Sequence, residues 1–494
     1  MTNKNYDVVI VGAGFSGLSA ALALKKKNKS FVVLEARDRV GGRAWTKQYI
    51  DHKTGKTCWI DMGAQWIEGS QTAIRGLAQE MGIPTDVNGA PTQGCLLFIF
   101  KGEFYKIDMN SFKDKSPFNM VSFFMKENFV KDFNEYKSAE KKMDDMAECF
   151  DRGTPWKVSE NIGKDIEQTQ LNINRWDSMT AQSWMEENIK TDGGKFLFRI
   201  KSLLCFAAPP SDVSLLHMLH YIRCAGLSNK LNQATSFRVS GGTQSIANAV
   251  HETLKSHVRL NEPVREVQMP DPNLIKKGKS KPTLVITDNH TYSAKKVIMA
   301  IPPAIISKIN FSPQLPPRRL QFNQRMPMGS SIKCHLVYEY PFWESEGYCG
   351  IAMSDRHEVP FIVNNSVPNT DGPAVLGCFV DAKKGRELIN DSEEEIAKYV
   401  TQVVKEVYEV ALGKGNVPEP KKVYVANWSK EEWSGGCYAG IMPPGVWTGY
   451  KNTLREPVGD IIHWATTETA SKWFAYMDGA VRAGQDAANK VMES

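Results

Sequence analysis

The alternation of apolar and polar positions is most legible at the start of the chain. Asp7-Val-Val-Ile-Val11 carries an unbroken β-branched run, the pattern of a strand buried on both faces. Phe15 to Lys27 then sets Leu18, Ala21, Leu22 and Leu24 at helical spacing, and Phe31-Val-Val-Leu34 is a second short apolar run that ends at Glu35. Strand, glycine-rich turn, helix and strand within about thirty residues predict a βαβ unit with a parallel pair. From roughly Pro91 to Ala234 the pattern changes. Phe129, Phe133, Tyr136, Met143 and Phe150 fall near helical spacing in a Lys/Glu-rich stretch, which predicts amphipathic helices of a separate unit. Strand-like runs return at Thr283–Thr287, at Lys296–Ile301 before Pro302-Pro303, and at Ile332–Tyr338, while the Lys/Gly/Ser stretch 276–281 reads as a hairpin tip. The tail from Val423 is rich in Gly and Trp before a last helix from Asp478 to Lys490.

This order predicts an α/β protein of two discontinuous domains. Residues 1–89, 235–302 and 422–494 form a doubly wound, Rossmann-like nucleotide-binding domain, and residues 90–234 and 303–421 a second domain with a mixed sheet and helices. At 494 residues the chain is long enough for both, and its 42% hydrophobic and 23% charged content is that of an ordinary soluble protein. The formal charge of +6 is spread along the chain, which argues against a nucleic-acid partner, since such binding needs a concentrated basic face. Nine scattered cysteines with no CxxC pair read as reduced thiols, neither a disulfide framework nor a metal site. No run approaches the ~20 apolar residues of a membrane span, no signal peptide is visible, and the chain ends Met-Glu-Ser494 without a peroxisomal tripeptide. The expectation is a soluble, intracellular, cytoplasmic protein, a monomer or homodimer.

Gly12-Ala-Gly14-Phe-Ser16-Gly17 fits G-x-G-x-x-G directly after a strand and at the opening of a helix. Gly12 permits the tight turn, Gly14 lets backbone approach a pyrophosphate at the helix N-terminus, and Gly17 lets helix and strand pack closely. Glu35, about twenty residues on at a strand end, can accept hydrogen bonds from a ribose hydroxyl and disfavours a 2′-phosphate. Glu35-Ala36-Arg37-Asp-Arg-Val-Gly-Gly42-Arg43 extends the site, with Arg43 able to reach a phosphate.

Together with Asp61-Met-Gly63-Ala64-Gln65-Trp66, these stretches closely resemble the cofactor-binding segments of the flavin amine oxidase family. The implied cofactor is FAD. Val239-Ser-Gly-Gly-Thr243 and Glu262-Pro-Val264 look like the family's middle FAD segment, beside the adenine. Trp433-Ser-Gly-Gly-Cys437-Tyr438, followed by Met442-Pro-Pro-Gly445, is similar to the monoamine oxidases in particular, where the motif's cysteine is bonded to the flavin 8α-methyl carbon. The resemblance therefore implies an 8α-S-cysteinyl FAD at Cys437, and a thiol beside an oxidised isoalloxazine can add to that methyl group.

By the same resemblance Tyr438 and Tyr476 are the aromatic pair that flanks the substrate nitrogen, with Thr467, Glu468 and Met477 beside the flavin. Two facing rings define a slot for a neutral amine and align its Cα–H with flavin N5, and their electron-rich faces favour positive charge on the carbon losing hydride. Lys333, in Met328-Gly-Ser-Ser-Ile-Lys-Cys334, looks like the family's lysine that reaches toward N5 through a water. A buried ammonium there would stabilise superoxide as O2 takes its first electron. Thr466 and Ala475 depart from the pattern, standing where the family commonly has glycine, and Trp66 replaces a frequent tyrosine. The final helix is expected to aim its N-terminus at the flavin's pyrimidine edge, favouring negative charge on the reduced ring.

The implied reaction is oxidation of a small-molecule amine to an imine, hydrolysed to an aldehyde, with O2 reduced to hydrogen peroxide. Rival readings keep the fold but oxidise polyamines or L-amino acids, the latter needing a cationic clamp for which Arg223 and Arg238 are candidates. A non-catalytic FAD-binding scaffold and a flavin isomerase are rivals from other classes.

Overall fold

The computed structural model of the chain describes residues 5–51, 55, 57–88, 93–109, 127–160, 165–270, 282–367 and 372–493. One sheet is built on the predicted βαβ unit. Asn5–Val11 pairs in parallel with Phe31–Leu34 on one side and Thr291–Met299 on the other, which sets Val9 between Val32 and Val297. Val258–Arg259 extends the parallel part beyond Phe31–Leu34, and Ile462–Trp464 pairs with the end of Thr291–Met299. Val8, Val9 and Ile10 are all buried, as their unbroken apolar run requires when helices cover both faces. Thr283–Thr287 and Val264–Gln268 continue the sheet in antiparallel fashion, and Asn310–Ser312 closes its edge in parallel with Val264–Gln268.

The strand expected at Lys296–Ile301 spans Thr291–Met299. Its polar first half, which an apolar-run reading passes over, pairs with Thr283–Ile286, so backbone pairing and not hydrophobicity sets that end. The stretch 276–281 lies outside the described residues.

The helix Phe15–Lys26 crosses the final helix, Met477–Glu493, at very close range. A β-carbon on Gly484 would lie 2.0 Å from the Ser16 carbonyl oxygen, so the glycine allows the two backbones to touch. The last helix is thereby fixed against the glycine-rich turn although hundreds of residues separate them.

The second sheet runs Lys422–Asn427, Ser331–Tyr338, Ala374–Asp381, Phe361–Asn364, Tyr348–Ser354, Cys95–Phe100 and Glu103–Asp108. It is antiparallel except where Tyr348–Ser354 runs alongside Cys95–Phe100. Every residue of Ser331–Tyr338 is buried. Glu393–Leu412 covers one face, begun by a capping box in which Ser392 and Glu395 satisfy each other's backbone amides. A larger apolar cluster joins the sheet to Glu127–Glu148, Asp192–Phe206 and Leu215–Ala225. Phe133, Tyr136 and Met143 of the predicted amphipathic stretch are buried there, and Phe150 is buried two residues past the helix end. The side chain of Phe129 lies outside the described part. Lys422–Asn427 belongs to this second sheet and Asn310–Ser312 to the first. All nine cysteines are free thiols, and no described helix is long and apolar enough to cross a membrane.

Candidate functional site

A cavity of about 340 Å³ opens at the carboxyl ends of the parallel strands, where open α/β sheets hold their ligands. At one end stand Gly12, Gly14 and Ser16 of the first turn, Glu35, Ala36 and Arg37 after the second strand, and Gly42 and Arg43 beyond. Gly12 has a φ of +100°, and a β-carbon there would meet the Ala300 carbonyl oxygen at 2.7 Å. Gly14 is different: a β-carbon would find only the Gly42 Cα, at 3.9 Å. The space over it is open to a ligand. The helix that follows has neither a side-chain cap nor an acid in its first turn, so its first amides are free for an anion.

Glu35 is buried, and its two oxygens accept hydrogen bonds from the amides of Ala13 (2.7 Å) and Arg37 (3.0 Å). It thus ties the glycine turn to the second strand while still facing the cavity. Val264 and Trp433 line the same end. Gly17 does not line the cavity. A β-carbon on it would lie 1.9 Å from the Gly12 carbonyl oxygen, which is the helix–strand contact its place in the motif predicts.

Gly63, Ala64, Gln65 and Trp66 carry the wall onward to Lys333, Cys437, Tyr438, Thr467, Tyr476 and Met477. Lys333 projects from the centre of a buried strand. Its Nζ donates to the carbonyls of Asp61 (2.7 Å) and Gly63 (2.9 Å) and to Gln65 Oε1 (2.8 Å). Burial pulls its pKa down to about 7, partly offset by the nearby Asp61 carboxylate. Three acceptors around one nitrogen match the three N–H groups of the charged form.

Behind Lys333 lies a buried polar layer. His335 stands 3.1 Å from the Asp61 carbonyl and 3.1 Å from the Asn365 amide, and Asn365 pairs with Gln65. Asp61 accepts from Thr46 and from the Thr243 amide, with burial raising its pKa.

Cys437 is buried and its thiol is pushed up by burial. Its amide donates to the Gly329 carbonyl at 2.9 Å, and the Cys437–Tyr438 peptide bond is cis. The Tyr438 ring stands edge-on to Phe379 at 6.3 Å, and the Tyr476 ring edge-on to Trp473 at 4.9 Å. Each tyrosine is therefore held by its own neighbours, and both are half-buried in the cavity wall. Thr467 Oγ1 donates to the Tyr476 carbonyl at 2.8 Å. Burial pushes both phenols well above their ordinary value, so both rings stay neutral.

Glu468 is fully buried and does not line the cavity. It joins the two ends of the site: Arg43 Nη1 donates to it at 2.8 Å and to the Tyr438 carbonyl at 2.9 Å, and the Gly440 amide donates to it at 3.1 Å. Burial opposes its charge, yet Arg43 and these hydrogen bonds hold it below the usual carboxylate value.

One cavity thus runs from a dinucleotide turn to a pair of neutral phenols beside a buried lysine and a cysteine. A profile of flavin-containing amine oxidoreductases matches residues 15–492. The chain belongs to that family. FAD is its cofactor, and the wall described suits a flavin dinucleotide. Thr466 lines that wall, and among the described residues its buried Oγ1 has no hydrogen-bond partner, an unmet group of the kind a flavin edge can satisfy.

The flavin-containing amine oxidase of Oncorhynchus mykiss is 34% identical over 500 residues, covering 100% of this chain and 87% of the relative. Amine oxidase B of Homo sapiens is 34% identical over 506 residues with the same coverage. Among solved structures, putrescine oxidase bound to putrescine superposes with a TM-score of 0.83 at 28% identity over 100% of both chains. Cyclohexylamine oxidase from Brevibacterium oxydans gives 0.82 at 26% over 99% of both.

Neither arginine considered for a carboxylate clamp reaches the oxidase cavity. Arg238 is buried and donates to the carbonyls of Asn365 and Ser366, while Arg223 lies 3.9 Å from Glu148. The wall also holds Tyr221, Lys201, Cys205, Asn232 and Phe379, which no sequence motif marks. Tyr221 lies 5.7 Å from Tyr476, ring to ring. At the start of the final helix Met477 and Ala480 face the cavity, while Asp478 turns away to accept the amides of Ala73 and Ile74.

Ala475 has a φ of +71° and lines the cavity. An L-residue pays about 1 kcal/mol for that conformation. Ala475→Gly is therefore expected to raise the melting temperature of the apoprotein by the equivalent of about 1 kcal/mol. A lower melting temperature would mean that the β-carbon's contacts outweigh the strain.

Proposed function

We propose that this amine oxidase acts on neutral monoamines, with Tyr438 and Tyr476 flanking the substrate nitrogen. The observation that supports this best is the single cavity that joins the dinucleotide turn to both phenols. Bound FAD would supply the hydride acceptor for the amine α-carbon and the two electrons that reduce O2 to hydrogen peroxide.

The chain's own residues supply the rest. Gly12, Gly14, Ser16 and the helix amides hold the pyrophosphate, Glu35 the ribose, and Val264 the adenine side. Gly63, Ala64, Gln65, Trp66, Thr467 and Met477 hold the flavin end. The two phenols stay neutral and keep the amine carbon oriented, while the apolar walls exclude water. Lys333 places positive charge where oxygen is reduced. The released imine is hydrolysed to an aldehyde. A doubly wound FAD domain and a substrate domain, with the chain crossing between them several times, remain the proposed division of this architecture.

Cys437 is the residue proposed to hold the cofactor covalently. Its place in the wall beside Tyr438 supports the tether; burial and the Asp381 carboxylate hold its thiol above the ordinary value, with Arg43 and Lys333 offsetting only part of that. Acid-precipitated wild-type protein is expected to keep its yellow colour in the pellet, and Cys437→Ser to release it to the supernatant. Colour released from the wild type would remove the tether.

Putrescine oxidation is the second reading, favoured by the fold shared with putrescine oxidase. An amino-acid substrate has less support, because Arg223 and Arg238 stand away from the cavity. Peroxide release from benzylamine, spermidine and phenylalanine separates the three. Benzylamine alone is expected to give a strong signal, and a preference for spermidine or phenylalanine would overturn the monoamine reading.

A further inference from the structure

Lys201, in the wall of the main cavity, forms an ion pair that the reaction does not use. Lys201 and Glu140 are both buried, at 5% and 3% exposure, and Lys201 Nζ donates to Glu140 Oε1 at 2.6 Å. Lys201 lines the main cavity; Glu140 instead lines a second cavity of about 170 Å³ on the other side. Asn232 faces both cavities and donates to Glu140 at 3.2 Å. The face presented to a substrate is therefore the cation, with its counter-charge behind it.

Among the described residues Glu140 is the hydrogen-bond partner of Lys201, and Lys137 contacts the other Glu140 oxygen. An ammonium has three N–H groups, so Lys201 keeps donors to spare beside the cavity. Burial of such a cation is costly unless partners satisfy it. A substrate acceptor would complete the set.

The helix Asp192–Phe206 sets the reach. Cys205 and Tyr221 both line the cavity, and the Tyr221 ring is 5.7 Å from Tyr476. Lys201 lies one turn earlier on the same face, about 6 Å along the axis. That span suits an arylalkylamine whose far end carries an acceptor.

We propose that Lys201 is a specificity-determining residue that selects amines bearing a hydrogen-bond acceptor or an anionic group at the end distant from the nitrogen, and that it disfavours diamines. This rests on the amine oxidase reading above. A distal ammonium would meet Lys201 before it could meet Glu140, and like charges in a dry wall repel. A distal carboxylate would form a charge-assisted hydrogen bond.

The test compares kcat/KM for phenethylamine, tyramine, 4-(2-aminoethyl)benzoate and putrescine. It uses the holoenzyme, Lys201→Met, and Lys201→Met/Glu140→Gln, which removes the carboxylate left stranded by the single change. For the wild type, the benzoate amine is expected to exceed putrescine by about tenfold or more. In both variants the ratio of benzoate amine to phenethylamine is expected to fall by about tenfold, and tyramine to lose a smaller part of its advantage. A ratio that stays put in either folded variant, or putrescine as the best wild-type substrate, would overturn the proposal. Failure of every amine, phenethylamine included, would instead overturn the oxidase reading on which it rests.

Discussion

Lys333→Met is expected to slow reoxidation of the reduced enzyme by O2 about a hundredfold more than it slows reduction by amine. The expectation follows from where the lysine stands. Its nitrogen is buried in the cavity wall and held by three oxygens of the Asp61–Gln65 segment, so its charge is fixed in a place where water screens little. In the proposed mechanism, reduction of the flavin by amine depends on the phenols and on orientation, and reduction of O2 on a nearby positive charge. Methionine matches the length and removes only the charge and donors. It leaves the Gly63 carbonyl without its donor, which lowers stability by about 1–3 kcal/mol if water cannot reach it, while the Asp61 carbonyl keeps His335 and Gln65 Oε1 keeps Asn365. Stopped-flow rates of the two half-reactions on folded holoprotein therefore provide the readout, and equal slowing of both would remove the role. A pH profile adds a sign. Burial draws Lys333 down to about 7, and a base carries its charge below its pKa. The wild-type reoxidation rate is thus expected to fall as pH rises above neutrality, a limb that Lys333→Met lacks.

Gly17→Ala is expected to yield colourless protein. A β-carbon at 1.9 Å from the Gly12 carbonyl oxygen and 3.3 Å from the Ala300 side chain cannot be accommodated by rotating a side chain, because the first neighbour is backbone. The helix must back away from the strand, and the turn that would hold the pyrophosphate moves with it. The cost is about 3 kcal/mol, at the upper end for overpacked sites, and it falls on the element that binds the cofactor. Gly76→Ala provides the control. Gly76 lies in the helix Thr72–Glu80, exposed, with nothing within 4 Å of an added β-carbon, so alanine there stabilises by about 1 kcal/mol. Flavin absorbance per polypeptide should drop close to zero in the first variant and hold in the second. A fully yellow Gly17→Ala protein would contradict the packing argument.

The parts of the site legible in the sequence are those in which local geometry dictates residue type. A turn that needs φ near +100° at Gly12 requires glycine, and a strand covered on both faces requires Val8 to Val11. Such constraints leave marks within a few residues. Lys333 is legible through its motif, and the strand that carries it, Ser331–Tyr338, is buried throughout.

Other parts are set by chain segments far apart, and no short pattern records them. Tyr221 and Lys201 sit on amphipathic helices among many residues of like spacing, and only the packing of those helices turns them toward the cavity. Arg238 has the residue type of a substrate clamp, yet the strand Phe237–Arg238 buries it against Asn365. Glu468 sits in a motif near the flavin, but its contribution is made through Arg43, a partner more than four hundred residues away.

The most direct test of the central claim is anaerobic mixing of the yellow protein with phenethylamine, followed by admission of air. The flavin band should bleach with the amine, return with oxygen, and leave one equivalent of peroxide for each turnover. A band that no amine bleaches would contradict the account, as would bleaching that oxygen reverses without peroxide.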